Sequence, residues 1–188
     1  MFLAWLLMAL TLSVSPYLTD KDDPAVKDFH QRVQRYWDLH KKADAAAPPV
    51  DKKKEPDTAA ILAHEQGLAA GIRAERKTAA DGDIFTPAIQ RVLGAAIGQQ
   101  LASGTGKKAR EIILGEGNPK NPESAAKVEL AVNAKYPSNA PVSTVPPSIL
   151  MALPQLPMGL EYRFVGKHLI LYDEKANLIV DIFRNAIR

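Results

Sequence analysis

Cysteine is absent from the chain. Cysteine supplies disulfide bonds, thiolate nucleophiles, the sulfur ligands of many zinc sites and the lipid-modified N-terminal residue of lipoproteins. All four features are therefore excluded. Exported and cytosolic proteins can both lack cysteine, so its absence does not identify a compartment.

Aromatic residues and blocks of a single charge are also scarce. Aromatics make up 6% of the 188 residues, and 24 Lys and Arg are interspersed with 21 Asp and Glu, which leaves a net charge of +3. Nucleic-acid-binding proteins usually concentrate basic residues on one face or arm. The tight basic run at 52–54 is flanked by Asp51 and Glu55, which is typical of a solvated linker, with a phosphate-binding patch as the alternative. We expect no nucleic-acid partner.

An uncharged apolar run, FLAWLLMALTLSVS, occupies residues 2–15. Its length fits the hydrophobic part of a secretory signal and is short for a spanning helix, which needs about 20 residues. No Lys or Arg precedes the run, and Pro16 follows the small-residue site at 13–15, which are both untypical of a cleaved signal. We predict that residues 1–18 are a signal peptide, with a retained anchor or a buried helix as alternatives. The protein is then periplasmic or secreted, or else membrane-anchored and facing the periplasm, with no other membrane contact.

Apolar spacing and proline positions predict a helical first part. Apolar residues recur at three- and four-residue spacing over 24–45, which is typical of an amphipathic helix, and a linker rich in proline and lysine follows. Further helices are expected over 57–78, from Pro87 after a Thr86 cap, and around 109–113. The expected organisation is a signal or anchor at 1–18, a helix and linker at 19–56, a helical region at 57–119 and a β-rich domain at 120–188.

The apolar period changes near residue 128. Apolar residues then fall on every second position over 128–134, which favours a half-buried strand. A helix over 125–134 is the alternative, because the same stretch contains good helix formers. A loop over 137–147 and one helical turn at 148–153 are expected to follow.

The stretch 154–183 holds the clearest strand pattern. Strands are predicted at 161–165, 168–172 and 176–183, and Gly166-Lys167 suits a two-residue type II′ turn between the first two. Such a turn places Phe164 beside Leu169 and Tyr162 beside Leu171. The middle strand is apolar on both faces. We therefore predict an α+β fold in which amphipathic helices precede a C-terminal antiparallel β-meander and pack on one of its faces.

Several short motifs after the N-terminal segment are distinctive. They are DIFTP at 83–87, VNAKYP at 132–137, STVPP at 143–147, LPQLP at 153–157, LEYRFVG at 160–166 and ANLIVD at 176–181. In these motifs the chain resembles a group of uncharacterised exported bacterial proteins over most of its length. The resemblance implies export and a shared fold. It implies no activity, cofactor or partner, and no functional residue is carried over from it.

The sequence patterns that bind metals or phosphates are incomplete in this chain. His64-Glu65 begins like a zinc-protease helix, but Leu68 stands where the second histidine is required. The acidic turn at 81–83 lacks the later oxygen ligands of a calcium loop. The glycine-rich stretch at 98–108 does not match the phosphate-loop pattern and follows a helix rather than a strand. We expect no metal and no cofactor.

Candidate site residues remain on the predicted sheet. Glu161, Asp173 and Asp181 are carboxylates that we place at solvated strand ends or loops. A small basic and aromatic interaction surface is predicted on the hairpin, with cross-strand packing as the simpler interpretation: Tyr162, Arg163, Lys167 and Tyr172. The proline-rich segment at 141–157, which leads into the predicted sheet, is a second candidate interaction surface.

No serine-hydrolase motif of the form G-x-S-x-G is present. The sequence therefore favours an exported, non-enzymatic interaction or structural protein, with an unknown protein partner in the cell envelope. The alternatives are a hydrolase-type enzyme with a dispersed acid and histidine site, tested first at His64, Asp81 and Asp181, and a membrane-tethered accessory subunit.

Overall fold

The computed structural model of the chain describes residues 19–50, 57–104, 106–116, 130–137, 140 and 145–187. Within these residues, five helices are followed by three strands: α1 Pro24–Ala46, α2 Thr58–Glu75, α3 Pro87–Ala102, α4 Gly106–Glu116, α5 Pro147–Ala152, β1 Leu160–Val165, β2 His168–Asp173 and β3 Leu178–Phe183. The fold is α+β, as predicted. The predicted signal or anchor and the basic run at 52–54 lie outside the described residues. No helix in the described part is long and apolar enough to cross a membrane.

Local sequence signals set the start of the first two helices. The Asp23 carboxylate accepts a hydrogen bond from the Ala25 backbone N–H at 2.7 Å, and the Asp57 carboxylate accepts one from Ala59 at 2.9 Å. Each bond satisfies one of the N–H groups that a helix leaves free in its first turn. One side of α1 is buried, which confirms the amphipathic helix predicted there: Val26, Phe29, Val33, Tyr36 and His40.

The three strands form an antiparallel meander in the order β1-β2-β3. Phe164 pairs with Leu169 and Tyr162 pairs with Leu171, as the predicted two-residue turn requires. Gly166 has a φ of 56°, a conformation that glycine adopts without the steric cost of a side chain. The register shifts once between β2 and β3, next to Leu171, where β3 contains an extra residue.

Both faces of the sheet are covered. On one face, strand side chains such as Phe164 and Leu171 join the main core with Phe29 of α1 and Phe85. On the other face, Ile170 and its neighbours pack against residues of the 130–140 segment. The predicted packing of helices on one face is confirmed, and the second layer explains why β3 is buried at every position.

The strand predicted over 128–134 is wrong for its described residues, 130–134, and they form no helix either. Val132 and Asn133 lie in a turn, and Asn133 has a φ of 65°, which is incompatible with an extended strand. The segment meets the sheet through an isolated bridge between Lys135 and Leu178. Its alternating apolar residues pack on the sheet face without forming a ladder along β3.

Candidate functional site

The four residues of the predicted hairpin surface do not form one surface. Tyr162 points to the helix side of the sheet, where it is buried and donates a hydrogen bond from its hydroxyl to the Pro154 carbonyl at 3.0 Å. Arg163 and Tyr172 lie on the opposite face, and Lys167 is exposed in the hairpin turn. Adjacent residues of a strand point to opposite faces, so Tyr162 and Arg163 cannot present one surface.

Arg163 is engaged in packing and pairing with neighbouring side chains. Its guanidinium carbon lies 3.8 Å from the ring centroid of Tyr172 and 5.9 Å from that of Tyr136. Its Nη2 lies 2.8 Å from the carboxylate of Glu161. These contacts match the cross-strand packing interpretation better than an open binding surface.

Asp181 is not at a solvated position, and the prediction for it is wrong. The side chain is 0% exposed, and its carboxylate accepts hydrogen bonds from four backbone N–H groups: Gly82, Ile84, Phe85 and Ile182. Burial raises the pKa of the Asp181 carboxyl, and the four N–H donors counteract that rise. Asp181 therefore holds the 82–85 turn against β3.

Asp173 is likewise buried at 0% exposure, against the prediction of a solvated carboxylate. It lies 2.6 Å from both the Tyr36 hydroxyl and His40 Nδ1, and it accepts a bond from the Ala176 backbone N–H at 3.0 Å. Burial, reinforced by the neighbouring Asp173, raises the pKa of the Tyr36 hydroxyl well above its ordinary value. Tyr36 therefore stays a protonated donor, and the cluster joins α1 to the end of β2.

The three residues named for a dispersed hydrolase site are not assembled. His64 contacts the Pro48 carbonyl oxygen at 2.7 Å and the Asp44 carboxylate at 2.8 Å. Asp81 pairs with Arg184, while Asp181 accepts backbone N–H groups. His64 shares no partner with either acid. Among the described residues, no group of three or more histidines and acids is arranged to hold a metal ion.

The structure instead brings three arginines to one cleft of about 310 Å³, which we call the arginine cleft. Its walls come from α1, from the end of α2 and from the turn before α3. The lining residues are Arg32, Arg35, Tyr36, Leu39, Arg76, Asp83 and Ile84.

Helix periodicity explains the α1 wall. Arg32, Arg35, Tyr36 and Leu39 are spaced by three, four and seven residues from the first, so they follow one stripe of the helix. The turn that supplies Asp83 and Ile84 is held in place by Asp181, as described above. The cleft thus depends on a buried carboxylate that does not itself line it.

Two of the three guanidinium groups are held by the protein. Arg32 donates from Nε to the Asp28 carboxylate at 2.7 Å and from Nη1 to the Asp83 carbonyl at 2.8 Å. Arg76 donates to the Asn133 side chain at 3.3 Å and to the Val180 carbonyl at 3.1 Å. These bonds fix both guanidinium groups in orientation and leave further N–H groups on each of them.

Arg76 is the most enclosed of the three. Its guanidinium carbon lies 5.1 Å from the ring centroid of Tyr36. Burial lowers the pKa of Arg76, and the negative charges of Asp181 and Asp83 act in the opposite direction. An arginine keeps its charge in a protein, so the site retains a fixed cation next to an aromatic ring.

Arg35 differs from both neighbours because it is exposed and, within the described residues, donates no hydrogen bond and forms no ion pair. The Asp83 carboxylate accepts the Ala80 backbone N–H at 3.0 Å and pairs with none of the three guanidinium groups. The cleft therefore has cationic donors in excess of its acceptors. Such an arrangement suits the binding of an anion, and no histidine is among the lining residues that the structure describes.

Sequence reasoning missed this cleft. Its arginines are isolated in the chain and match no motif. One signal in the sequence could have pointed to it. Arg32 and Arg35 are three residues apart on a predicted helix, and Arg35 is next to Tyr36, which belongs to the apolar face of that helix. The contribution of Arg76 depends on how α2 returns along α1.

Searches against protein-family models, curated proteins and solved structures find no significant match to this chain.

Proposed function

We propose that this chain is an exported, non-enzymatic interaction protein that binds a negatively charged protein partner of the cell envelope through the arginine cleft. The apolar run at 2–15 and the resemblance to exported bacterial proteins support export to the periplasm or beyond the cell. A retained N-terminal segment would instead anchor the protein facing the periplasm. The observation that carries this proposal is Arg35, which pairs with no described residue and lies beside two oriented arginines.

The buried polar groups are engaged in hydrogen bonds within the fold, which supports binding rather than catalysis. Asp173, Asp181 and His40 are at most 3% exposed, and each is engaged in hydrogen bonds with the protein. Groups in this state hold the fold together and are shielded from a substrate. No observation on His64 or Asp81 favours the hydrolase-type alternative, because each contacts a residue outside the cleft.

The test is copurification of the natively expressed, full-length protein from envelope extracts. We expect a reproducible partner with the unsubstituted protein and about tenfold less of it with Arg35→Glu, because the substitution replaces a cation by an anion in the cleft. Arg91→Glu is the matched control, since Arg91 is an exposed arginine on α3 outside the cleft. Circular dichroism should show that both variants are folded.

Two results would contradict the proposal. One is a monomer without a partner across several growth conditions. The other is equal recovery of the partner with Arg35→Glu and Arg91→Glu, which would place the binding surface elsewhere.

A further inference from the structure

We infer that the group taken by the arginine cleft is a carboxylate attached to a short apolar body. This inference rests on the proposed function, because it names the chemistry by which the cleft recognises its partner. The same chemistry has two sources: an acidic side chain beside apolar residues in a protein, or a free organic acid.

The free N–H donors of the three arginines indicate which charged group the ligand carries. Arg35 offers a complete guanidinium fork, while Arg32 has a free Nη2 and Arg76 has a free Nε within the described residues. A planar fork matches the two oxygens of a carboxylate in a bidentate pair. The complete fork of Arg35 can pair with both oxygens of one carboxylate, and the free N–H groups of Arg32 and Arg76 can donate beside it.

The charge balance also favours a monoanion. Asp83 is one of the lining residues, and Asp28 already pairs with Arg32. Buried Asp181 lies close enough to Arg76 to act on its charge. These acids reduce the positive field, so less positive charge remains to offset a second negative charge on the ligand.

The rest of the lining indicates the neutral part of the ligand. Leu39 is half-buried, and Ile84 and the Tyr36 ring are buried. The Tyr36 hydroxyl is turned away to Asp173, so Tyr36 presents its ring to the cleft. A cleft of about 310 Å³ is at the small end for ligand sites and admits roughly one side chain or a short organic acid.

The experiment is an NMR titration of the full-length protein that follows the arginine Nε–H signals. The probes are 4-methylpentanoate, its neutral amide, inorganic phosphate, and a capped Leu-Glu-Leu peptide with its Leu-Gln-Leu counterpart. We expect 4-methylpentanoate or the Glu peptide to shift the Arg35 and Arg76 signals saturably, and the amide and the Gln peptide to have no effect. Arg35→Gln should weaken binding by about tenfold, and Arg91→Gln should leave it unchanged.

Arg35→Gln is the variant of choice because, within the described residues, Arg35 makes no hydrogen bond or ion pair, whereas Arg76 donates to Asn133 and Val180. Saturation by 4-methylpentanoate identifies a free acid as a sufficient ligand, and saturation by the Glu peptide alone identifies an acidic protein segment; both support the inference. Binding of phosphate in preference to either carboxylate would overturn it, as would equal binding of the neutral probes.

The two proposals can fail separately. An Arg35-dependent envelope partner without carboxylate binding would overturn the ligand class and keep the proposed function. Carboxylate binding without any envelope partner would overturn the protein partner and keep the ligand class.

Discussion

At the scale of single residues, two buried aspartates organise the polar interior. Asp173 receives donors from α1 and from the turn after β2, and Asp181 receives the backbone of the turn before α3. A buried carboxylate is tolerable only when its oxygens are satisfied by such donors. Asp173 therefore ties α1 to the end of β2, and Asp181 ties the turn before α3 to β3, which shapes one wall of the arginine cleft.

Replacing Asp173 tests this role. Asp173→Asn keeps the shape of the side chain but exchanges one acceptor oxygen for an N–H donor that faces other donors. We expect a loss of about 3 kcal/mol in the free energy of unfolding, measured by urea titration. Tyr36→Phe removes a single hydrogen bond and should cost about 1 kcal/mol. Equal losses in the two variants would show that Asp173 is not the centre of the cluster.

At the scale of elements, turn chemistry sets the sheet, and the segment beside β3 is held by backbone hydrogen bonds to Ile179 and by two arginines at the end of α2. The β1-β2 turn closes in two residues because Gly166 adopts a positive φ. Asn133 also has a positive φ, but it is held by Arg73 and Arg76, through its carbonyl at 2.9 Å and its side chain at 3.3 Å. The two-residue apolar period over 128–134 gives no information about these contacts, because the two arginines come from a distant part of the sequence.

Two glycine substitutions test the role of the turn, because we expect one to lower and the other to raise the stability of the protein. Gly166→Ala should destabilise the protein by about 1 kcal/mol, because a side chain is strained at a φ of 56°. Gly98→Ala is the matched control: Gly98 is exposed on α3 with no atom within 4 Å of an added methyl group. We expect it to stabilise the protein by about 0.5 kcal/mol. The measurement is thermal unfolding, and a neutral Gly166→Ala would contradict the turn assignment.

At the scale of the whole molecule, two layers enclose the sheet. The helices bury one face, and residues of 130–137 together with Ala140 pack against the other. The arginine cleft lies on the helical side, where α1, α2 and the turn before α3 meet. Its formation requires the long-range contacts of the whole described fold, so it is a property of the assembled domain rather than of any one element.

The cellular compartment of the protein is predicted from the whole chain, including its N-terminal segment. We expect the intact mass of the protein from fractionated native cells to show a species shortened by about 13–15 residues in the soluble envelope fraction. A full-length species in the membrane fraction would identify residues 2–18 as an anchor and support the membrane-tethered alternative. Full-length protein in the cytosol would contradict export.

The sequence by itself determined the fold class, the helix over 24–45, the meander and the cross-strand pairs of its first hairpin. These features arise from local signals: helix caps, apolar period and turn residues. The tertiary structure alone decided the burial of Asp173 and Asp181, the separation of Tyr162 from Arg163 and Tyr172 on opposite faces, and the irregular path of 130–134. It also decided the arginine cleft. Donors for a buried carboxylate, and cations that share a cleft, come from segments distant in sequence, so only their packing brings them together.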